Sequence, residues 1–228
     1  MNRPNLNCLF NTHPLNESTS KYLFNVYFTM MQGLMVTGLS CYLGTFNIML
    51  MSSLSLPLVV IGFFLSGFML LNQNTKYKKI SFYLFSGVEG LLLSPLIYTA
   101  QLIDTTIIPG AISLTIITFI TFTFISMLTK RRDILYLGSV LGTVLMVFCV
   151  MSIINLFLQS PLLFTIEIYF GLVLFCFYVI YDTQMVIQEY ENGMQDQVYH
   201  AMTFYLDFLN IFIRILIILI KNSKKKKK

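Results

Sequence analysis

Residues 162–181 read LLFTIEIYFGLVLFCFYVIY, an apolar run of 20 residues in which Glu167 is the single charge. A helix of this length rises about 30 Å, which matches the hydrocarbon thickness of a bilayer. The whole chain shares this character, because 56% of its 228 residues are hydrophobic and only 11% are charged. A soluble domain carries about 25% charged residues. The sequence therefore predicts an integral membrane protein.

Further apolar runs flank this segment and are separated from it by short polar breaks. The predicted spans are about residues 22–46, 54–71, 80–103, 107–128, 134–158, 162–181 and 198–220. In lipid, a chain that does not close into a barrel can satisfy the hydrogen-bonding groups of its backbone only by forming helices. We therefore predict an all-α polytopic membrane protein, a seven-helix bundle of six spans plus a C-terminal spanning or re-entrant helix. We expect a polar N-terminal segment over residues 1–20, a single membrane domain over 21–222 and a polylysine tail over 223–228.

Basic residues mark alternate loops among the first four spans and indicate which loops are cytosolic. These residues are Arg3, Lys21, Lys76, Lys78, Lys79, Lys130, Arg131 and Arg132. A seventh full crossing would place the terminal lysines on the opposite side. Either the last segment re-enters without crossing, or the charge rule fails there.

Sequence signatures of enzymes are absent. The chain has no His-Glu-x-x-His, no cysteine pair at metal spacing, no phosphate loop and no nucleophile elbow. We therefore expect no enzyme activity, no metal site and no cofactor. Five of the 15 basic residues form the run Lys224–Lys228, and the remaining body is close to neutral. This charge distribution argues against a nucleic-acid partner and leaves the lipid bilayer as the expected surroundings.

Charged residues inside predicted spans are costly and usually mark function. The candidates are Glu89, Glu167, Asp182, Asp207 and Arg214. In the last span, His200, Asp207 and Arg214 are spaced by sevens, so a helix places them on one stripe, with Asn210 on the same side. Such a stripe must face protein or water rather than lipid.

Two of these residues suggest a switch. Asp182 ends the predicted sixth span, and Asp207 lies about 12 Å into the seventh. A hairpin of these helices brings the carboxyls together, where they would share one proton and titrate as a unit. Loss of that proton would produce a repulsion large enough to move a helix. Two alternatives stay open: Asp182 facing interfacial water, and Asp207 forming a structural ion pair with Arg214.

The same part of the chain resembles the Bax inhibitor-1 family in the order and spacing of several motifs. The resemblance covers about residues 80–223. The motifs are Glu89-Gly90, Ser94-Pro95-Leu96-Ile97, Arg131-Arg132, Ile168-Tyr169-Phe170-Gly171-Leu172, Tyr181-Asp182-Thr183-Gln184, Leu206-Asp207-Phe208 and Arg214-Ile215-Leu216.

The resemblance implies helices wrapped around a central C-terminal helix, and it places the family's paired aspartates on Asp182 and Asp207. It further implies a calcium leak gated by their protonation, residence in the endoplasmic reticulum and suppression of cell death. Ca²⁺ and H⁺ are then the permeant or gating ions, and death-regulating membrane proteins are candidate partners. Some bacterial relatives carry an arginine in the second span that pairs with the aspartates, whereas residues 54–71 contain no base.

Supporting roles follow from this picture. With no base in the second span, Arg214 is the one cationic partner left for the aspartates, and we expect Arg214 and Asn210 to lie beside the pair as supporting partners. Glu89 and Glu167 are expected to line an ion path. Lys225 and Lys226 look like a dilysine retrieval signal, although a lysine run also fits binding to anionic lipid.

Two other functions compete with the channel. A non-conducting scaffold would regulate death-related proteins through its loops and tail, and it predicts no ion leak. An intramembrane aspartyl protease also uses two aspartates on neighbouring helices. Tyr181-Asp182 matches one setting of such enzymes, but Leu206-Asp207-Phe208 lacks the Gly-x-Gly-Asp of the other.

Overall fold

A computed structural model describes residues 16–72, 74–128 and 137–226 of the chain. The predictions that concern Arg3, Lys130, Arg131 and Arg132 lie outside these residues. The described residues form helices and no strand. The helices are α1 (Glu17–Thr45), α2 (Ile48–Ser53), α3 (Ser55–Leu71), α4 (Thr75–Ile103), α5 (Ile107–Leu128), α6 (Leu137–Leu158), α7 (Pro161–Glu191) and α8 (Gln197–Lys226).

Six of these helices, all except α2 and α3, are long and apolar enough to cross a membrane. Large apolar side chains cover their outer faces, with Phe157, for example, 84% exposed. Lipid solvates such a surface, whereas water would not. The prediction of an all-α, multi-pass membrane protein is confirmed. The second predicted span corresponds to the 17-residue α3, about 25 Å long, which lies at the lower limit for a crossing.

The helix that contains the sixth predicted span is longer than its apolar run. Helix α7 does not stop at Tyr181 but continues to Glu191, so Asp182 lies inside the helix rather than at its end. Glu189 and Glu191 are helical as well, although they lie in the polar break that the sequence predicts between residues 181 and 198. Hydropathy measures compatibility with lipid. It falls after Tyr181 because the following polar residues face protein, and the helix itself is not interrupted.

Two other boundaries also extend beyond the apolar runs. Helix α1 begins at Glu17, inside the predicted polar segment, and α8 continues to Lys226, inside the predicted tail. The 30 residues of α8 form one continuous helix of about 45 Å, which is long enough to cross a bilayer. Half of the 18 residues in its most apolar stretch are buried, a larger share than in any other of the six long helices.

The short polar links between the helices contain the residues that cap the helix N-termini. The side chain of Asn74 accepts a hydrogen bond from the backbone of Lys76 at the start of α4. Ser160 does the same for α7, where Pro161 occupies the first turn. Asp196 Oδ1 accepts from the backbone N–H of Tyr199 at the start of α8, at 3.1 Å. These caps satisfy N–H groups that the helices leave free, so the helices start at defined residues.

The chain groups into two compact units. The first contains Ala111–Met194 and Asp207–Ile218, and therefore most of α5, the helices α6 and α7 and the middle of α8. Within it, α6 packs along α7 around a core of Leu141, Phe148 and Leu174. The second contains Lys21–Gly110, residues 195–206 and residues 219–228, and within it α2 and α3 pack against α4.

Helices α1 and α4 approach closely in the second unit. A Cβ atom on Gly90 would overlap the Ser40 hydroxyl and the backbone carbonyl of Thr37, and would lie 3.0 Å from the backbone nitrogen of Cys41. Ser86 of α4 belongs to the same contact, because its hydroxyl donates to the carbonyl of Phe82 and would lie 3.1 Å from a Cβ atom on Gly33 of α1. The spacing of small residues that allows this contact, Ser86-xxx-Gly90-xxx-Ser94, is the signature of tightly packed membrane helices.

Candidate functional site

The structure brings Asp182 of α7 and Asp207 of α8 together inside the first unit. Both are buried, with exposed fractions of 5% and 3%, and their carboxyl groups lie close enough to share a hydrogen bond. Oδ2 of Asp207 is buried and accepts no hydrogen bond from the N–H and O–H groups of the described part of the chain. Ionised carboxylates only accept hydrogen bonds, so a bond between two of them requires a proton on one. The arrangement can therefore hold one proton between two helices, away from bulk water.

A reciprocal pair of hydrogen bonds fixes α7 beside α5 next to this site. Gln184 Nε2 donates to the backbone carbonyl of Ser126 at 2.5 Å, and the Ser126 hydroxyl donates to the carbonyl of Ile180 at 2.7 Å. Both side chains are almost fully buried. Sequence reasoning missed these two hydrogen bonds because Ser126 and Gln184 lie 58 residues apart. The one sequence signal that could have indicated this contact was Gln184 itself, a polar amide directly after Asp182-Thr183.

Arg214 lies about 10 Å along α8 from Asp207 and does not contact it. Its Nη1 donates to both the backbone carbonyl and Oδ1 of Asn210, each at 2.9 Å. The guanidinium lies 4.5 Å from the ring centroid of Phe175 and 5.4 Å from that of Phe148. The described residues include no ion pair of Arg214, so the alternative of an Asp207–Arg214 ion pair is not what the structure contains. The charge is held by aromatic rings and an amide.

Gly171 of α7 makes room for this guanidinium, which leads to a stability prediction. A Cβ atom at Gly171 would overlap Nε of Arg214 and lie 2.9 Å from its Cζ. We expect Gly171→Ala to displace the guanidinium from the rings and to lower the free energy of unfolding by about 1–2 kcal/mol. Thermal unfolding in detergent measures this, with Gly142→Ala as the control because no atom lies within 4 Å of its added Cβ. Equal stability of the two variants would contradict the packing described here.

The two predicted path residues lie apart from the carboxyl pair. Glu167 is on α7, 15 residues before Asp182 or about 22 Å along the helix, and accepts a hydrogen bond from Asn155 Nδ2 at 3.1 Å. Glu89 is on α4 in the second unit, half-buried, with its Oε1 facing Gly62 of α3. The structure therefore does not bring Glu167 to the aspartates, and a path through Glu89 and Glu167 stays a prediction.

Two polar residues at the start of the last helix have partners in the second unit. His200, the first member of the predicted stripe, is buried and its Nδ1 lies 2.6 Å from the hydroxyl of Tyr22 on α1. Asp196 forms an ion pair with Lys78 in addition to capping α8. Lys225 and Lys226 end α8, and Lys225 is exposed.

Comparison with known proteins gives consistent matches. A family model described as "Inhibitor of apoptosis-promoting Bax1" matches residues 19–224. The chain is 31% identical over 226 residues to a probable Bax inhibitor 1 from Paralichthys olivaceus, covering 98% of this chain and 95% of the relative. It is 33% identical over 158 residues to human Bax inhibitor 1, covering 69% and 67% of the two chains. It is 39% identical over 151 residues to Bax inhibitor 1 from Arabidopsis thaliana, covering 65% and 61%.

Proposed function

Because this chain belongs to the Bax inhibitor 1 family, we propose that it is a pH-sensitive calcium leak channel of the endoplasmic reticulum membrane that suppresses cell death. The observation that carries the proposal is the buried pair of adjacent carboxyl groups, Asp182 and Asp207, on two neighbouring helices. The proton held by this pair is the gate. The names of the relatives support the role in cell death, since each is called an inhibitor of Bax.

The physics of the pair explains how one proton moves a helix. With the proton in place, the carboxyls attract each other through a hydrogen bond and hold α7 against α8. Without it, two negative charges about 4 Å apart repel by about 4 kcal/mol at an effective dielectric constant of 20. Two conformations of a protein commonly differ by only a few kcal/mol, so this change is enough to exchange their populations.

Carboxylates also provide the chemistry that a calcium path needs. Ca²⁺ is a hard cation that binds oxygen ligands, above all those of Asp and Glu. In the open state, Asp182 and Asp207 become charged oxygen ligands within the membrane, and Glu89 and Glu167 are proposed as further steps of the path. Arg214, held by Asn210 two turns from Asp207, supplies a nearby positive charge that limits how long a cation stays.

A non-conducting scaffold is the second candidate. It is favoured by the same relatives' names, which describe inhibition of a protein and mention no ion. Under this function, Asp182 and Asp207 would set the conformation of a surface that binds death-regulating membrane proteins.

Calcium flux from reconstituted vesicles separates the two candidates. We expect purified protein in liposomes loaded with Ca²⁺ to release it at a rate that changes with external pH, above the rate of protein-free liposomes. The control variant is Glu191→Gln, which removes an exposed carboxylate at the end of α7 and should leave the flux unchanged. Wild-type protein that is folded but releases no Ca²⁺ at any pH would reject the channel and favour the scaffold.

A further inference from the structure

Arg214 carries a positive charge into the interior of the first unit, where a counter-charge is needed. Its guanidinium contacts the rings of Phe148 and Phe175 and the amide of Asn210, and none of these groups has a formal negative charge. Its Nε is buried and has no hydrogen-bond partner in the described part of the chain. A charge away from water is costly unless an opposite charge lies nearby. A carboxylate is therefore expected within electrostatic range of Arg214.

Glu167 of α7 provides this counter-charge. It lies one turn before Gly171 on the same face of the helix, and Gly171 is the residue against which the guanidinium packs. The carboxylate attracts the guanidinium of Arg214 electrostatically, although no direct ion pair of Arg214 occurs among the described residues. Asp207 is not an equivalent partner, because it lies about 10 Å from Arg214 along α8 and adjoins Asp182.

The carboxyl group of Glu167 is held in place by Asn155 of α6. Its Oε2 accepts a hydrogen bond from Asn155 Nδ2 at 3.1 Å. The orientation of this amide is defined, because Asn155 Oδ1 accepts from the backbone N–H of Ser160 at 3.1 Å, which leaves the nitrogen for Glu167. The other carboxyl oxygen, Oε1, is buried and accepts no hydrogen bond from the described residues. The positive field of Arg214 stabilises this oxygen in place of a donor.

The positions of Arg214 and Glu167 along their helices determine how each acts on a cation. In the proposed function a cation binds at the carboxyl pair, which lies about 10 Å along α8 from Arg214 and about 22 Å along α7 from Glu167. Arg214 is the nearer charge and repels the cation, and Glu167 offsets part of this repulsion. At an effective dielectric constant of 20, a unit charge about 22 Å away changes the population of a bound divalent ion about tenfold and that of a monovalent ion about threefold.

We propose that Glu167 is a specificity-determining residue of this protein, which favours divalent cations by offsetting the charge of Arg214. The inference rests on the proposed channel function. Glu167 acts through its charge alone, because its Oε1 is buried and its Oε2 is bonded to Asn155, so no ion needs to touch the carboxylate. Electrostatic energy is proportional to the charge of the ion, so Glu167 stabilises Ca²⁺ twice as strongly as K⁺. The fold change for Ca²⁺ is therefore the square of the fold change for K⁺.

The flux of two ions through the Glu167→Gln variant tests this role. Release of Ca²⁺ and of K⁺ from vesicles is recorded at one fixed pH, at ion concentrations low enough for entry to limit the rate, and is normalised to the amount of folded protein. Glutamine keeps the shape of the side chain and removes its charge. We expect the Ca²⁺ flux to fall about tenfold and the K⁺ flux about threefold. Glu191→Gln removes a water-exposed charge that salt screens, and it should leave both fluxes unchanged.

A second substitution separates the effect of charge from that of packing. In the double variant Glu167→Gln/Arg214→Gln the unbalanced positive charge is gone, so we expect the Ca²⁺ flux per folded protein to return at least to the wild-type level. An equal fold loss of Ca²⁺ and K⁺ flux in Glu167→Gln would overturn the proposal. A double variant that conducts Ca²⁺ no better than Glu167→Gln would overturn it as well.

Thermal unfolding in detergent tests the charge pair without reference to ion conduction. Glu167→Gln and Arg214→Gln each leave one buried charge without its counter-charge, so we expect each to lower the midpoint temperature by about 10 °C. The double variant leaves no such charge, and its loss should be smaller than the sum of the two by about 5 °C or more. Additive losses would overturn the pairing of Glu167 with Arg214. Coupled losses in a protein that releases no ion would reject the channel and the specificity role, while the charge pair stands.

Discussion

Asp207→Asn is expected to remove most of the pH dependence of calcium flux in reconstituted vesicles. A single proton linked to opening changes the open population by up to about tenfold per pH unit, and so by up to about 100-fold over two units. Asparagine has nearly the same shape as aspartate and can still donate to Asp182, but it neither binds nor releases a proton. We therefore expect the flux of the variant to change less than about twofold over the same two units.

The design of this measurement separates gating from loss of the protein. Flux is normalised to the amount of folded protein in the vesicles and recorded at each pH for wild type, Asp207→Asn and Asp182→Asn. The two variants should behave alike, since each leaves a single carboxyl at the site. Glu191→Gln retains the pair and should keep the wild-type profile. A variant of either aspartate with the full wild-type profile would reject the pair as the gate.

Gly90→Ala is expected to have the largest effect on stability. The added methyl group would overlap the backbone carbonyl of Thr37 and the hydroxyl of Ser40, and it would lie 3.0 Å from the backbone nitrogen of Cys41. Backbone atoms inside a helix cannot rotate away, so α1 and α4 must separate. We expect the free energy of unfolding to fall by about 3 kcal/mol or more, measured by thermal or denaturant unfolding in detergent.

Gly38→Ala provides the matched control for this variant. Gly38 is on α1, and an added Cβ would have no atom within 4 Å. Alanine is also the better helix former, so this variant should be as stable as wild type or slightly more stable. If Gly90→Ala and Gly38→Ala unfold at the same temperature, the close approach of α1 and α4 does not exist in the protein.

Most of the fold was predictable because lipid imposes simple requirements on a chain. Apolar runs of about 20 residues identified the six long helices, and α3 appeared as the shorter run over residues 54–71. The end of α7 was not predictable in the same way. Polar residues after Tyr181 ended the apolar run, but they face protein rather than lipid, and α7 continues to Glu191. Hydropathy cannot distinguish a polar residue that ends a helix from one that is buried against a neighbour.

The candidate site was predictable in part. Charged residues in apolar helices drew attention to Asp182 and Asp207, and helical spacing placed Asn210 and Arg214 together, where they are hydrogen-bonded. Three contacts were not foreseen: the aromatic rings around Arg214, the hydrogen bonds between Ser126 and α7, and the contact of His200 with Tyr22. Each joins segments that are distant in sequence, and a single sequence contains no record of such contacts.

Infrared difference spectroscopy directly measures whether the pair of carboxyl groups holds a proton. A protonated carboxyl has a carbonyl stretching band that a carboxylate lacks, and we predict that one such band in the wild type disappears over the same pH interval in which calcium flux changes. The band should move or vanish in both Asp182→Asn and Asp207→Asn. A wild-type protein in which both side chains stay ionised throughout that interval, or in which the band survives both substitutions, would mean that no hydrogen ion is held between the two helices.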